Sequence, residues 1–229
     1  MIDPKAASTL AISLLLITAC GDSPPSVEVG LDPQDTFFAE LSKHCGKAYS
    51  GSVAVDDEMD EGFANAELVM HVRECSEDRI AIPFHVQRFD KWDRSRTWVI
   101  TRTDAGLRLK HDHRHEDGTS DTITMYGGDT ASAGTGQAQR FPVDQESIDL
   151  FEREGLCASV INTWMVAVDP MVGREPRFTY ELTRPYIATT PNDSAEYQAC
   201  PGRYTGRTFR VEFDLTREVE APPAPWGHE

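Results

Sequence analysis

The sequence predicts an all-β fold: a single antiparallel β-barrel, or alternatively a β-sandwich, of about nine strands with two short helices. Three observations carry this. Beyond Gly51 the chain consists of short runs of alternating apolar and polar residues, separated by turn residues. The run Thr208–Thr216 alternates without a break: Phe209, Val211, Phe213 and Leu215 face one way, and Thr208, Arg210, Glu212 and Asp214 the other. That is the pattern of a half-buried antiparallel strand. Only two stretches carry helical spacing with a cap and a stop. A sheet that closes on itself removes its exposed edges, which favours the barrel.

The elements follow in order. Residues 1–19 read as an export signal: Lys5 is the only positive charge, and an apolar stretch runs from Ala6 to Thr18. It is shorter than the about 20 residues a membrane span needs and suits a signal peptide. Leu16-Ile17-Thr18-Ala19-Cys20 resembles the lipobox of bacterial lipoproteins. The resemblance implies lipidation (palmitate among the acyl groups) on Cys20 and a membrane-anchored chain in the cell envelope. Gly21 in place of Asp implies the periplasmic face of the outer membrane. Residues 20–31, with Pro24 and Pro25, read as a flexible tether. A helix begins at Asp32, a capping residue, with Pro33 in its first turn, Asp35 near the N-terminal dipole, and Phe37, Leu41 and Cys45 on one face up to Gly46.

Strands are expected at Ser52–Val55, Ala66–Glu74, Arg79–Val86, Arg96–Thr103, Leu107–Glu116, Asp121–Tyr126, Val160–Val168, Arg177–Thr183 and Thr208–Thr216. Gly127–Arg140 reads as a long Gly/Ser/Thr loop. A second helix is expected at Gln145–Glu154, capped by Asp144 and stopped at Gly155. Residues 32–217 then form one lipocalin-like barrel or sandwich domain, and the Pro-rich segment 218–229 a disordered tail.

The formal net charge is −16. Such a balance excludes nucleic acid as a partner and argues against polybasic attachment to anionic lipid. Beyond Cys20 lie Cys45, Cys75, Cys157 and Cys200. An even count in an oxidising compartment points to two disulfides. Of the three connectivities, Cys45–Cys75 with Cys157–Cys200 is preferred because each joins neighbouring parts of the chain. No C-x-x-C spacing of a redox or zinc site occurs.

Three histidines stand two apart: His111, His113 and His115. Parity puts them on the face of Leu107 and Leu109, the inward face, at a barrel mouth. Histidines at i and i+2 on a strand, with Cβ atoms about 6.5–7 Å apart, can hold a divalent transition metal such as zinc, copper, nickel or iron. Asp117, or His44, His71, His85 or Asp121, would complete the shell. Gly106, His111-x-His113 and Asp117 are similar in outline to a cupin motif, with Asp where the acid is usually Glu. The competing reading is a solvated strand end whose histidines only hydrogen-bond to neighbours. A three-residue turn through Thr119 would set Asp121 opposite His115 and Ile123 opposite His113. Upstream, Arg88, Lys91, Arg94 and Arg96 interleave with Trp92 and Trp98, but Asp90 and Asp93 neutralise them. The stretch reads as a surface loop, with an anionic small ligand as its alternative use.

Pro83-Phe84-His85-Val86, Ser95-Arg96-Thr97-Trp98, Leu109 to Gly118 (LKHDHRHEDG), Tyr126-Gly127-Gly128 and Phe141-Pro142-x-Asp144 resemble an uncharacterised family of secreted bacterial proteins and lipoproteins, over about Phe37 to Leu215. The resemblance implies one exported domain and supplies no mechanism. Three functions remain open at this point. They are a small-ligand or metal-binding or structural module of the envelope, a metal-dependent hydrolase or oxygenase built on the histidine strand, and an envelope protein-interaction module. Neither the oligomeric state nor a catalytic residue follows from the residues.

Overall fold

Most of the alternating runs are strands in the structure, a computed structural model that describes residues 32–56, 61–169, 175–187 and 191–229. The signal, lipidation site and tether expected at 1–31 lie outside the described residues, Asp32 being the first of them. The chain begins with helix α1 (Pro33–Ser42) and strand β1 (Ala48–Asp56), followed by a turn of helix, α2 (Glu61–Ala64). Strands β2 (Leu68–His71), β3 (Glu74–Cys75), β4 (Arg79–Arg88), β5 (Lys91–Thr103), β6 (Gly106–His113), β7 (Tyr126–Asp129) and β8 (Ala138–Pro142) come next. Helix α3 (Gln145–Arg153), β9 (Thr163–Asp169), β10 (Arg177–Tyr186), α4 (Ala195–Ala199) and β11 (Thr205–Val219) complete the order. No helix among the described residues is long and apolar enough to cross a membrane.

All described strands join one antiparallel sheet in the order β7-β6-β5-β4-β2-β1-β11-β10-β9-β8, with β3 beside β4. The two ends meet through a single bridge, Gly128 to Val143, so the sheet is a nearly closed barrel. Closure depends on two glycines. A Cβ on Gly127 would lie 1.8 Å from the Leu109 carbonyl oxygen, and one on Gly128 1.8 Å from that of Pro142. Only a residue without a side chain admits backbone this close. The expected loop Gly127–Arg140 is therefore corrected: it opens with β7 and ends in β8. The strand expected at Asp121–Tyr126 is also corrected. Residues 121–125 bulge between an Arg114–Ser120 bridge and the His111–Tyr126 pair, with Met125 at φ 54°. Asp121 donates its backbone N–H to the His113 carbonyl (2.9 Å) and does not sit opposite His115.

The capped helices stand where expected. Asp32 Oδ1 accepts from Gln34 N–H (2.7 Å), and α1 buries Phe37 and Leu41. Asp144 caps α3 through Ser147 N–H (2.9 Å). Both preferred disulfides are present, Cys45–Cys75 and Cys157–Cys200, with Cα separations of 6.2 and 6.1 Å. On β11, Phe209, Val211 and Phe213 are buried.

The barrel interior is filled by rings in contact. Phe84 stacks on Trp98 (4.9 Å between centroids), Trp98 on Tyr180 (4.4 Å), Tyr180 meets His111 edge-on (5.7 Å), and His111 stacks on Tyr126 (4.6 Å). Such offset and edge contacts add about 0.5–1.5 kcal/mol per pair beyond burial.

The expected disordered tail is corrected as well. From Val219, paired with Ala48 on β1, the chain continues to β5 and β6 as an ordered strap. Trp226 N–H donates to the Arg94 carbonyl (3.2 Å), the Arg94 guanidinium donates to the Ala224 carbonyl, and His228 Nε2 meets Asp112 Oδ2 at 3.1 Å. Pro222 and Pro225 are buried. An extended Pro-rich segment needs few backbone hydrogen bonds of its own and loses little entropy on docking. Low periodicity in the sequence therefore did not mean disorder.

Candidate functional site

Strand β6 puts His111 and His113 where parity places them, but it ends at His113, and the three histidines do not form a ligand set. His111 is buried inside the barrel with both ring nitrogens engaged: Nδ1 lies 3.0 Å from the Tyr126 carbonyl and Nε2 2.8 Å from the Tyr180 hydroxyl. One consistent arrangement satisfies both: Nδ1–H donates to the carbonyl and the tyrosine O–H donates to Nε2. That requires a neutral ring. Burial, and after it the neighbouring His113, lowers the His111 pKa to about 3. Burial raises the pKa of the Tyr180 hydroxyl well above its ordinary value, so it stays protonated and able to donate. His113 points the same way, its Nε2 3.3 Å from the Tyr126 hydroxyl. Burial and then Arg96 lower its pKa to about 4. A buried polar network with each member paired fixes one core arrangement rather than a reaction.

The other expected ligands are elsewhere. His115 is exposed on the loop after β6, and Asp117 is spent on its own turn, accepting from Thr119 N–H (2.9 Å) and Oγ1–H (2.6 Å). His44 Nδ1 contacts the Tyr49 hydroxyl at 2.8 Å. His85 alternates with the core residues Phe84 and Val86 and so lies on the outer face of β4, across the sheet from His111. It is fully buried there, and neither ring nitrogen has a hydrogen-bond partner. Burial, then His71, lowers its pKa to about 4. Among the described residues no group of three or more His, Cys, Asp or Glu side chains is placed to hold a metal ion. The expected metal set of His111, His113, His115 and Asp117 is thus not brought together. The physical reason is that His111 and His113 are turned into a packed interior while the loop carries His115 and Asp117 out to water.

The outer face of β6 is also covered, which the alternation gave no sign of. Lys110, nearly buried, reaches Asp144 Oδ2 (2.9 Å) and Glu146 Oε2 (2.8 Å) at the start of α3. Asp112 is held by Arg114 (3.1 Å) and His228 (3.1 Å).

Beside this strap lies a cleft of about 550 Å³. Its walls come from three places: the β4–β5 hairpin (Phe89, Trp92), the loop after β6 (His115, Glu116, Asp121) and the strap (Trp226). The stretch Arg88–Trp98, expected as a surface loop, is this hairpin. Trp92 and Trp98 share parity, but an extra residue in β5 between Asp93 and Arg96 reverses the faces, which sends Trp98 into the core and leaves Trp92 at the cleft. Phe89, at the hairpin tip, is wholly exposed and sits at φ 58°. Left-handed backbone is uncommon for a bulky residue, so this is a strained and unburied phenylalanine. The arginines here are already engaged. Asp93 accepts from Arg96 (2.7 Å) and Arg88 (3.3 Å). Burial pushes the Asp93 carboxyl up, but Arg96 and the hydrogen bonds from Ser95 and Arg96 outweigh it and hold the pKa down at about 2. Arg114 is committed to Asp112 and to the Gly118 carbonyl (3.2 Å). Lys91 and Glu116 are exposed and have no ion-pair partner among the described residues. Two other depressions, of about 290 and 220 Å³, are smaller and lined mainly by small and polar residues. Sequence reasoning singled out Trp92 and its basic neighbours but missed Phe89 and Trp226. The left-handed position of Phe89 carries no local sequence signal.

Comparison with protein-family models, with curated proteins and with solved structures gave no match to this chain.

Proposed function

We propose that this chain is a lipid-anchored binding module of the cell envelope, held at the periplasmic face of the outer membrane through Cys20, and that it takes a small organic ligand in the cleft beside the β4–β5 hairpin. One observation carries the reading: Phe89, Trp92 and Trp226, from separate parts of the chain, line one cleft of about 550 Å³. Small-molecule sites are clefts of about 300–1,000 Å³ with apolar walls and a few polar groups at the rim. The interior of the barrel, by contrast, is occupied by its own rings and serves as the scaffold. The ligand in this reading sits outside the barrel wall, and His111 and His113 are structural.

Two measurements test this. Ligand-observed fluorine NMR on the full chain in detergent, against a set of fluorinated fragments, is expected to give hits that are lost in Trp92→Ala. Hits that survive that substitution, or no hits, would overturn the cleft as the site. Mass spectrometry of the chain from a bacterial envelope is expected to give an acylated N-terminus beginning at Cys20, absent in Cys20→Ser. An unmodified chain would overturn the anchor.

A further inference from the structure

We infer that the cleft takes an organic cation, an ammonium group carrying apolar substituents, seated against Phe89, Trp92 and Trp226 with Glu116 and Asp121 as its counter-charges. This rests on the cleft being the ligand site.

The rings are the first observation. Core aromatics of this protein cover each other's faces, as Phe84, Trp98 and Tyr180 do at 4.9 and 4.4 Å. Phe89 and Trp226 meet no other ring among the described residues, and Trp92 meets only His85, edge-on at 6.4 Å. All three line one cleft, where no second ring covers them. An open aromatic face carries the negative side of its quadrupole and attracts a cation, tryptophan most strongly.

The second observation is charge. Arg88 is engaged with Asp93, and Arg114 with Asp112, so neither guanidinium is free for an incoming anion. Of the remaining charged side chains at the cleft, Glu116 has no ion-pair partner, and Asp121 gives one oxygen only to the Ile123 backbone N–H (3.0 Å). Among the described residues, Lys91 is the one lysine or arginine lining the cleft that has no ion-pair partner. The chain as a whole carries −16, a field that concentrates cations and repels anions at its surface. An anionic ligand would meet both the field and the two carboxylates. A neutral apolar ligand would use the rings and leave the carboxylates without a role.

Choline and its uncharged isostere 3,3-dimethylbutan-1-ol separate these cases, because they differ in one charge and hardly in shape. Titrations of the full chain followed by tryptophan fluorescence and calorimetry are expected to give one choline per chain. The alcohol should bind at least about 10-fold more weakly. Trp226→Leu keeps an apolar side chain but removes the aromatic face, and is expected to weaken choline by a similar factor. Glu116→Gln alters an exposed residue with no ion pair, so the fold is not at stake. It should weaken choline several-fold and reduce the salt dependence of binding. Equal affinity for choline and the alcohol would overturn the cation while leaving the cleft. Binding of neither, with Trp92-dependent fragment hits intact, would do the same. Binding of neither and no Trp92-dependent hit would overturn both readings.

Discussion

Acid should destabilise this protein well above the range in which carboxylates titrate. His85, His111 and His113 are held neutral in the folded state, with pKa values lowered to about 4, 3 and 4, burial being the largest cause in each. In the unfolded chain each returns to about 6.5. Between those values the unfolded state binds protons that the folded state does not, so stability rises with pH there and is lost on acidification. At pH 5 each of these histidines costs roughly 2 kcal/mol relative to pH 8, and the three together roughly 6 kcal/mol. Against a total of about 5–15 kcal/mol for a domain, that is a large part of the margin. Asp93 and Asp144, whose pKa values are lowered, add a loss of the same sign only below about pH 4. Urea unfolding at pH 5, 6, 7 and 8 measures this directly. His111→Gln should be less stable at pH 8. It should also lose about 1.4 kcal/mol per pH unit from the slope between pH 4.5 and 6, one proton's worth. A wild-type stability that is flat from pH 7 to pH 5, or a slope unchanged in His111→Gln, would refute the assignment of neutral buried histidines.

Gly127→Ala is expected to cost 4 kcal/mol or more, on the order of the largest single-site effects, because its Cβ would meet backbone at 1.8 Å; thermal unfolding of purified protein checks this. Reducing the disulfides should cost about 3–4 kcal/mol each, since they close loops of 30 and 43 residues, read as the shift in urea midpoint with dithiothreitol. Phe89→Asn should stabilise by about 1 kcal/mol, raising Tm by about 2–4 °C, because asparagine tolerates φ 58° and an exposed phenyl ring has no burial to lose. The same substitution should weaken binding in the cleft, so stability and affinity move in opposite directions.

What was legible in the sequence is what local chemistry determines. The alternation of β11, the caps Asp32 and Asp144, and the inward parity of His111 are each written within a few residues. The pairing of the cysteines also held. The meaning of His111 was not legible, because its acceptor and donor come from Tyr126 and from Tyr180, 69 residues away. Gly127 and Gly128 were misread for a related reason. Locally, paired glycines signal a loop; here they permit an approach of backbone to Leu109 and Pro142 that only the closed sheet creates. The cleft was least legible. Arg94 and Ala224, whose hydrogen bond fixes the strap, lie 130 residues apart, and a proline-rich end carries no period to betray that it docks.

The closure of the sheet works like the clasp of a bracelet. Ten strands in sequence share continuous ladders, but the join between the last two has a single bridge. What fastens it is largely off the ladder: Gly127 N–H donates to Ser147 Oγ (2.7 Å), Asp144 N–H donates to the Gly127 carbonyl (3.0 Å), and Lys110 clamps Asp144 from the neighbouring strand. A ring fastened this way opens at its fastening. Unfolding under load or acid would begin by releasing β7 from β8, presenting two bare strand edges at once while the rest of the circumference stays intact. Bare edges pair with other chains. The first casualty of a weakened clasp would therefore be solubility, lost before the circular dichroism of the remaining strands had changed.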